Sequence, residues 1–473
     1  MVKILIDKST ISVLFLIFSI KLDKSMRFIK KEIITVFLCF FIVETTATQS
    51  IEISDFEMNK QEEGVFINSL ISSIQEHPTY LESLAILESS KASLNVAQSA
   101  KKPQIQFQGN SRNSLKQKFN NPLSALTESS RDQHRADGSL IMQQSLFDPI
   151  IKEEISKQEY ILQSDYYNNK QKISELTLDM AIACQDTAAY KIISDLINIS
   201  IDSHSQIVGR IKMRVDSGRA AQAEMMRAEA RLAEAQAKKM TIDLKLQSAR
   251  AKFGQLIINA KPCLKFLKVN SEQLTNDSSK VIDAIEENYS MMKANELIKA
   301  SEKELEKAKA GFKPKINLEL RGDRYDLTGD QNYDLYAGVN FNVDIYTGGK
   351  KKALVKIAEE QLKSSKLKKE ILLKELRIKS EANLAELKNS GERLAIFNNA
   401  FGAYEQSKNK LSLQFESSNV SLLELLQAER DYIESAELLI INKKEINSSQ
   451  LRQLFLLGRI VDYFDQENIA NQF

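Results

Sequence analysis

Residues that interrupt helices are scarce in this chain, which has only 15 glycines and 6 prolines among its 473 residues. Because glycine and proline normally break or end helices, this scarcity predicts long helices. Tryptophan is absent, and three cysteines and three histidines are too few for a disulfide framework or a His/Cys metal cluster. The 65 basic and 63 acidic side chains nearly balance, which argues against nucleic acid as the main partner. The sequence has no phosphate loop, nucleophile elbow, metalloprotease helix or dinucleotide fingerprint, so we expect no enzymatic activity and no cofactor.

Apolar runs long enough to span a membrane are also missing. Two shorter apolar runs lie near the N-terminus, at residues 11–20 and 33–43. Each has about ten residues, whereas a membrane-spanning helix needs roughly 20. The second run follows basic residues and precedes a small-residue cleavage site, which is the layout of a secretory signal. We interpret residues 1–47 as a targeting segment, with translation starting at Met26 or with one unusually long signal from Met1. The mature chain is then periplasmic or secreted, or a membrane protein whose spans are β-strands.

Two cysteines remain after removal of the targeting segment. Cys184 lies in a helical pattern and Cys263 in a loop, 79 positions away. We expect a buried thiol and an incidental one.

The chain contains the same unit twice. Residues 224–229 (EMMRAE) correspond to residues 424–429 (ELLQAE) at an offset of 200, and neighbouring motifs correspond at similar offsets. A longer loop in the first unit accounts for the difference between these offsets. This duplication predicts a first repeat at 48–258, a connector at 259–280, a second repeat at 281–464 and a polar tail at 465–473.

The first unit reads helix, strand, loop, strand, long helix, turn, helix. Residues 104–108 alternate polar and apolar side chains, and residues 139–147 form the second predicted strand. Asp148 suits a helix N-cap and Pro149 the first helical turn, and no further proline follows before Ser217. A helix of about 65 residues is predicted here, which is roughly 100 Å long.

The second unit repeats this order, with strands predicted over residues 315–321 and 335–346. Six apolar side chains alternate strictly with polar ones in the second strand, as in a strand between lipid and water, or in an interior sandwich strand. A long helix is predicted over residues 350–415, with an apolar seam that a return helix continues after Asn419. This seam favours an antiparallel coiled-coil hairpin.

Four strands with a lipid-facing side cannot close into a membrane barrel, because the smallest such barrels have about eight strands. Several copies must therefore assemble, with their polar strand faces and long helices around one axis. The physical interpretation is an oligomeric conduit.

The strand-to-helix junctions at residues 144–148 (QSLFD) and 343–350 (VDIYTGGK), with the two motifs at 224–229 and 424–429, carry a resemblance. The chain resembles the TolC-type outer-membrane factor family from about Glu62 to Phe464. It departs from the family pattern at Asp148-Pro149, where the family usually has two glycines, and at both helical turns, where the full aromatic-x-x-Gly form is missing.

The resemblance implies a mainly α fold with membrane β structure: a homotrimer whose 12-stranded β-barrel lies in the outer membrane of a Gram-negative bacterium and continues into an α-helical tunnel through the periplasm. It implies docking onto a periplasmic adaptor (membrane fusion protein) and an inner-membrane pump or ABC transporter. The implied function is the exit duct for drug efflux or type I secretion. A periplasmic adaptor and a non-pore structural coiled-coil protein are the alternatives that we retain.

The same resemblance suggests three groups of site residues. The expected periplasmic entrance consists of Glu224, Glu424 and Gln427, although an acid in the first turn of a helix is also favoured by the helix dipole alone. The expected adaptor-docking turns comprise Asp216, Ser217, Gly218, Arg219, Ser417, Ser418 and Asn419. The expected lumen residues are Glu319, Arg321, Asn340, Asn342 and Asp344.

Overall fold

A computed structural model of the protein describes residues 53–113, 134–258, 260–269, 284–325, 332–417 and 420–465. The predicted targeting segment and the predicted docking residues Ser418 and Asn419 lie outside the described residues. The helices of the described part are α1 (Lys60–Glu76), α2 (Pro78–Ser99), α3 (Pro149–Asp216), α4 (Gln222–Leu256), α5 (Tyr289–Ala310), α6 (Lys350–Lys388), α7 (Ser390–Glu416), α8 (Leu422–Leu456) and α9 (Ile460–Asp465).

Four strands form one antiparallel sheet in chain order. They are β1 (Gln104–Asn113), β2 (His134–Phe147), β3 (Lys315–Tyr325) and β4 (Asn332–Asn342). The predicted hairpin of each repeat is therefore confirmed, and the two hairpins join through β2 and β3.

The predicted continuation of β4 to Tyr346 is wrong. Lys315, the first residue of β3, pairs with Asn342, so no ladder partner exists beyond that point. Pro314, which precedes β3, has no N–H to donate to a ladder. Gly348 and Gly349 then adopt φ values of +60° and +86°, which lead the chain into α6.

The long helix of the first repeat, α3, is continuous over 68 residues. Its predicted start is confirmed, because Asp148 Oδ1 accepts the Ile150 N–H at 2.8 Å and Pro149 occupies the first turn. Its end is a turn in which Gly218 adopts a φ of +70°.

The corresponding helix of the second repeat is interrupted, so the prediction of one helix over residues 350–415 is wrong at Asn389. This residue has φ −104° and ψ 5°, and it separates α6 from α7. The Ser390 hydroxyl donates to the Leu387 carbonyl at 2.7 Å, and Gly391 follows. Side-chain hydrogen bonds of this kind compete with helical ones, and Asn, Ser and Gly are weak helix formers.

Helix α3 is the centre of the packing, since α2, α4, α5 and α8 all contact it. Its buried apolar side chains include Met180, Ile193 and Ile211. In the predicted seam of α6 and α7, Leu376, Phe401 and Phe415 are buried, whereas Tyr404 is exposed. In the described part of the chain, no helix has an apolar stretch long enough to cross a bilayer.

The two remaining cysteines form a disulfide between Cys184 and Cys263, which corrects the expectation of two separate thiols. They meet because part of the connector folds back over the middle of α3. There the Gln185 side-chain amide donates to the Leu267 carbonyl at 2.9 Å. Phe266 also exchanges backbone hydrogen bonds with residues 56 and 58 near the start of the described chain.

Candidate functional site

The sheet has one apolar and one polar face. The register aligns Phe107 with Leu140 on the apolar face, and Leu318 with Val339. These side chains remain in contact with solvent in the single chain, where Phe107 is 71% exposed and Leu335 77% exposed. A face of this kind requires a partner, because exposing so much contiguous apolar surface is unfavourable.

The polar face carries four of the five predicted lumen residues. Glu319 Oε1 accepts the Tyr336 hydroxyl at 2.9 Å, and Glu319 Oε2 accepts the Asn340 amide at 3.2 Å. Arg321 Nε lies 2.9 Å from Asp323 Oδ1. These contacts join charges of both signs on one side of the sheet.

The fourth residue on the polar face is Asn342, and the fifth predicted residue, Asp344, lies outside the sheet. Asn342 lies on the polar face, opposite Lys315. Asp344 follows the end of β4 and forms an ion pair with Lys351 at 3.0 Å. Its lumen role stays a prediction, without a strand position to support it.

The helical turns of the two repeats are brought together at the other end of the long helices. The Arg214 guanidinium lies 4.5 Å from the centre of the Phe415 ring and donates to the Phe415 carbonyl at 3.1 Å. Arg210 pairs with Glu416 at 2.9 Å. These contacts across the repeats fix one turn beside the other, and no local sequence pattern predicts them.

The predicted docking residues of these turns are open to solvent. Asp216, Ser217, Gly218 and Arg219 are exposed, and so is Ser417. Beneath them, Ile211, Phe415, Leu425 and other apolar side chains form a buried cluster. The exposed turns therefore rest on a packed base that holds them in place.

The predicted entrance acids occupy equivalent positions in the first turns of α4 and α8. Glu224 is half-buried and Glu424 is exposed. The Ser421 hydroxyl accepts the Glu424 N–H at 3.3 Å, whereas the equivalent Ala221 makes no side-chain cap. The third predicted entrance residue, Gln427, donates to Asp431 one turn further along α8, at 2.7 Å.

A buried polar group, which sequence reasoning missed, lies between α3, α4 and α8. The Ser203 hydroxyl donates to Glu429 Oε1 at 2.7 Å, and both Glu429 and His204 are buried. His204, Glu429, Arg231 and Glu234 line a cavity of about 150 Å³. No local sequence pattern marks Glu429 as buried. Its counterpart in the first repeat, Glu229, has the same position in the motif and is exposed.

Burial is the main cause that lowers the pKa of His204, and the Arg231 charge acts in the same direction. The Glu429 and Glu234 carboxylates oppose this shift. Among the described residues, no hydrogen-bond partner is present for His204 Nδ1. The neutral imidazole is therefore the form that the folded protein favours near neutral pH.

One protein family matches part of this sequence, and solved structures share its fold. Residues 281–458 match the family described as outer membrane efflux protein. No curated relative matches the sequence.

Solved structures share the fold over most of the chain. The outer membrane protein VceC of Vibrio cholerae is 14% identical with a TM-score of 0.71, covering 83% of this chain and 96% of VceC. The Campylobacter jejuni outer membrane channel CmeC is 12% identical with a TM-score of 0.73, covering 86% and 88%. The open state of the Neisseria gonorrhoeae outer membrane channel MtrE is 15% identical with a TM-score of 0.67, covering 83% and 89%. Residues 281–458 therefore match the outer membrane efflux protein family, and the chain shares its fold with these outer-membrane proteins.

Proposed function

We propose that three copies of the chain form an exit duct through the outer membrane, for an efflux pump or a type I secretion system. The duct passes substrates from the periplasm or from an inner-membrane pump to the exterior, without enzymatic activity. The observation that carries this proposal is the two-faced sheet, which is polar on one side and apolar and exposed on the other. The family match and the fold shared with CmeC and MtrE support it.

The sheet also supports assembly. Its outer strands, β1 and β4, leave backbone groups unpaired at both edges in the single chain. Open edges are not tolerated in lipid, because each unpaired backbone group there costs several kcal/mol. Joining three four-stranded sheets edge to edge gives 12 strands and a closed barrel, with the Glu319 and Arg321 face towards the lumen.

The second repeat supplies an independent reason for assembly. Ile357, Ile371 and Ile378 remain exposed on α6, and Ile378 is 67% exposed. Apolar side chains on a long helix are typical of a surface that packs against another helix. A neighbouring copy would bury them while completing a helical tunnel in the periplasm.

The paired turns then form the periplasmic tip, where an adaptor and the inner-membrane pump would dock. Glu224 and Glu424 lie one turn inside this tip, and three copies would form rings of carboxylates around the entrance. Such rings attract cations by concentrating negative charge.

A periplasmic adaptor or a non-pore structural coiled coil would explain the helical hairpins equally well. Either would leave the exposed Phe107, Leu335 and Val339 without a partner. The duct is therefore the better account of this sheet face.

Fractionation and mass measurement test the proposal. The duct predicts a protein of the outer-membrane fraction that needs detergent for extraction and has the mass of a trimer. A water-soluble monomer or dimer in the periplasmic fraction would reject the duct and favour one of the alternatives.

A further inference from the structure

All four connections between the strands and the helices leave the sheet at the same end. The register pairs Gln104 at the start of β1 with Gln143 near the end of β2, and Lys315 at the start of β3 with Asn342 at the end of β4. Residues that directly precede β1 and β3, or follow β2 and β4, are therefore gathered in one zone. We name this zone the junction.

Six exposed lysines lie in or beside the junction, and we name them the lysine collar. None of them forms an ion pair with a carboxylate of the described residues. They are Lys101, Lys102, Lys152, Lys313, Lys350 and Lys352.

The acids nearest to the junction do not neutralise the collar, because other lysines already hold them. Asp148 pairs with Lys315 at 3.1 Å, and Asp344 pairs with Lys351 at 3.0 Å. The collar therefore keeps a net positive charge.

Exposed aromatic side chains accompany the collar. Phe147 and Phe312 are each about half exposed, and Tyr346 is 87% exposed. The Lys351 ammonium also lies 5.6 Å from the centre of the Phe312 ring. These rings lie between the apolar sheet face and the polar helices.

We propose that the lysine collar binds the phosphate groups of anionic phospholipids in the periplasmic leaflet of the outer membrane, next to the apolar sheet face. This inference rests on the proposed function, since it needs the sheet to lie in a bilayer. Aromatic rings next to lysines, directly below an apolar band, are the arrangement of a lipid interface. Long lysine side chains reach headgroups while their stems stay on apolar surface.

The charge of the collar selects the lipid. A lysine near an anionic membrane surface gains free energy that a neutral headgroup does not supply. The collar should therefore enrich anionic lipid around the protein, and salt should weaken this enrichment.

The test compares two variants of the intact channel with equal changes in charge. The collar variant carries Lys101→Gln, Lys102→Gln, Lys313→Gln and Lys350→Gln. The control variant carries Lys261→Gln, Lys363→Gln, Lys388→Gln and Lys410→Gln, which are exposed lysines outside the junction. Each protein is reconstituted in vesicles with spin-labelled phosphatidylglycerol or spin-labelled phosphatidylcholine, and electron paramagnetic resonance gives the relative association of the two lipids.

The unchanged protein and the control variant should prefer phosphatidylglycerol, and this preference should decrease in high salt. In the collar variant, the preference for phosphatidylglycerol should decrease at least about fivefold, because one lysine near an anionic surface already supplies a factor of this size. Arginine at the same four positions should retain the preference, which separates charge from a folding defect.

Two results would overturn the inference in distinguishable ways. A protein that inserts and conducts but shows equal preference in collar and control variants, or no preference, rejects the collar alone. A protein that does not insert into the vesicles rejects the proposed function together with the collar.

Discussion

The two repeats have the same order of elements but use their long helices differently. Helix α3 is unbroken and buries apolar side chains along most of its length, against helices from both repeats. Helices α6 and α7 are separated at Asn389 and leave Ile357, Ile371 and Ile378 exposed. A disulfide ties α3 to the connector, and the second repeat has no cysteine.

This difference indicates that the two repeats have different roles, although they contain the same elements. The first long helix forms the core of the single chain, so its contacts determine whether the chain folds. The second has an apolar surface that the single chain cannot bury, so its contacts should determine whether the copies assemble. The following changes test this division.

The largest effect is expected from a charge on the buried helix. Ile193 is 2% exposed, and Ile193→Asp should destabilise the fold by more than about 4 kcal/mol, since a carboxylate would lie unpaired in the core. Chemical denaturation measures this loss, and Ile193→Val, at about 0.5–1.5 kcal/mol, provides a variant that folds.

The matched change on the exposed helix is Ile378→Asp. It should change the stability of the single chain by no more than about 0.5 kcal/mol but abolish the proposed trimer, because the charge would lie in the expected contact with the next copy. Mass measurement in detergent checks the oligomer. A stable Ile378→Asp trimer would contradict the division between the repeats.

Removal of the disulfide should have the next largest effect. The double change Cys184→Ala and Cys263→Ala should reduce the free energy of unfolding by about 2–5 kcal/mol, because the cross-link restricts the unfolded chain. Thermal unfolding of the oxidised, reduced and double-variant proteins measures the change. Equal stability of all three would show that the connector holds α3 without the cross-link.

A smaller effect tests the interruption of the second helix. Neither Gly391 in α7 nor Gly209 in α3 has atoms within 4 Å of an added Cβ. Gly391→Ala and Gly209→Ala should each stabilise the fold by about 0.4–1 kcal/mol, since alanine restricts the unfolded chain. A gain for Gly209→Ala with a loss for Gly391→Ala would mean that the break itself requires glycine.

The smallest effect concerns pH at the contact between the repeats. Because the pKa of His204 is lowered by burial, the unfolded state takes up a proton that the folded state resists, and stability should decrease as pH falls below about 6.5. His204→Gln should weaken this decrease. Tm values of both proteins between pH 7.5 and 5.5 check it, and an unchanged pH dependence in the variant would contradict this account.

Local patterns explain what could be predicted from the sequence. The Asp148 cap, the length of α3 and the alternation in β3 depend on neighbouring residues, and the structure confirms them. The polar sheet face with Glu319 follows from the same alternation. Such patterns depend only on short-range geometry.

Contacts between distant residues account for what could not be predicted. Ser203 and Glu429 are 226 positions apart, and Cys184 and Cys263 are 79 positions apart. Neither pair has a local signal, because only the folded arrangement of α3, α8 and the connector brings the residues together. The break at Asn389 was missed because the apolar seam continues across it.

The decisive test of the proposed duct is planar-bilayer conductance of the detergent-purified mature protein, with its mass measured in the same preparation. We expect a trimer with discrete, cation-preferring channels, and a weaker cation preference after Glu224→Gln and Glu424→Gln. A soluble monomer or dimer that gives no conductance would contradict it.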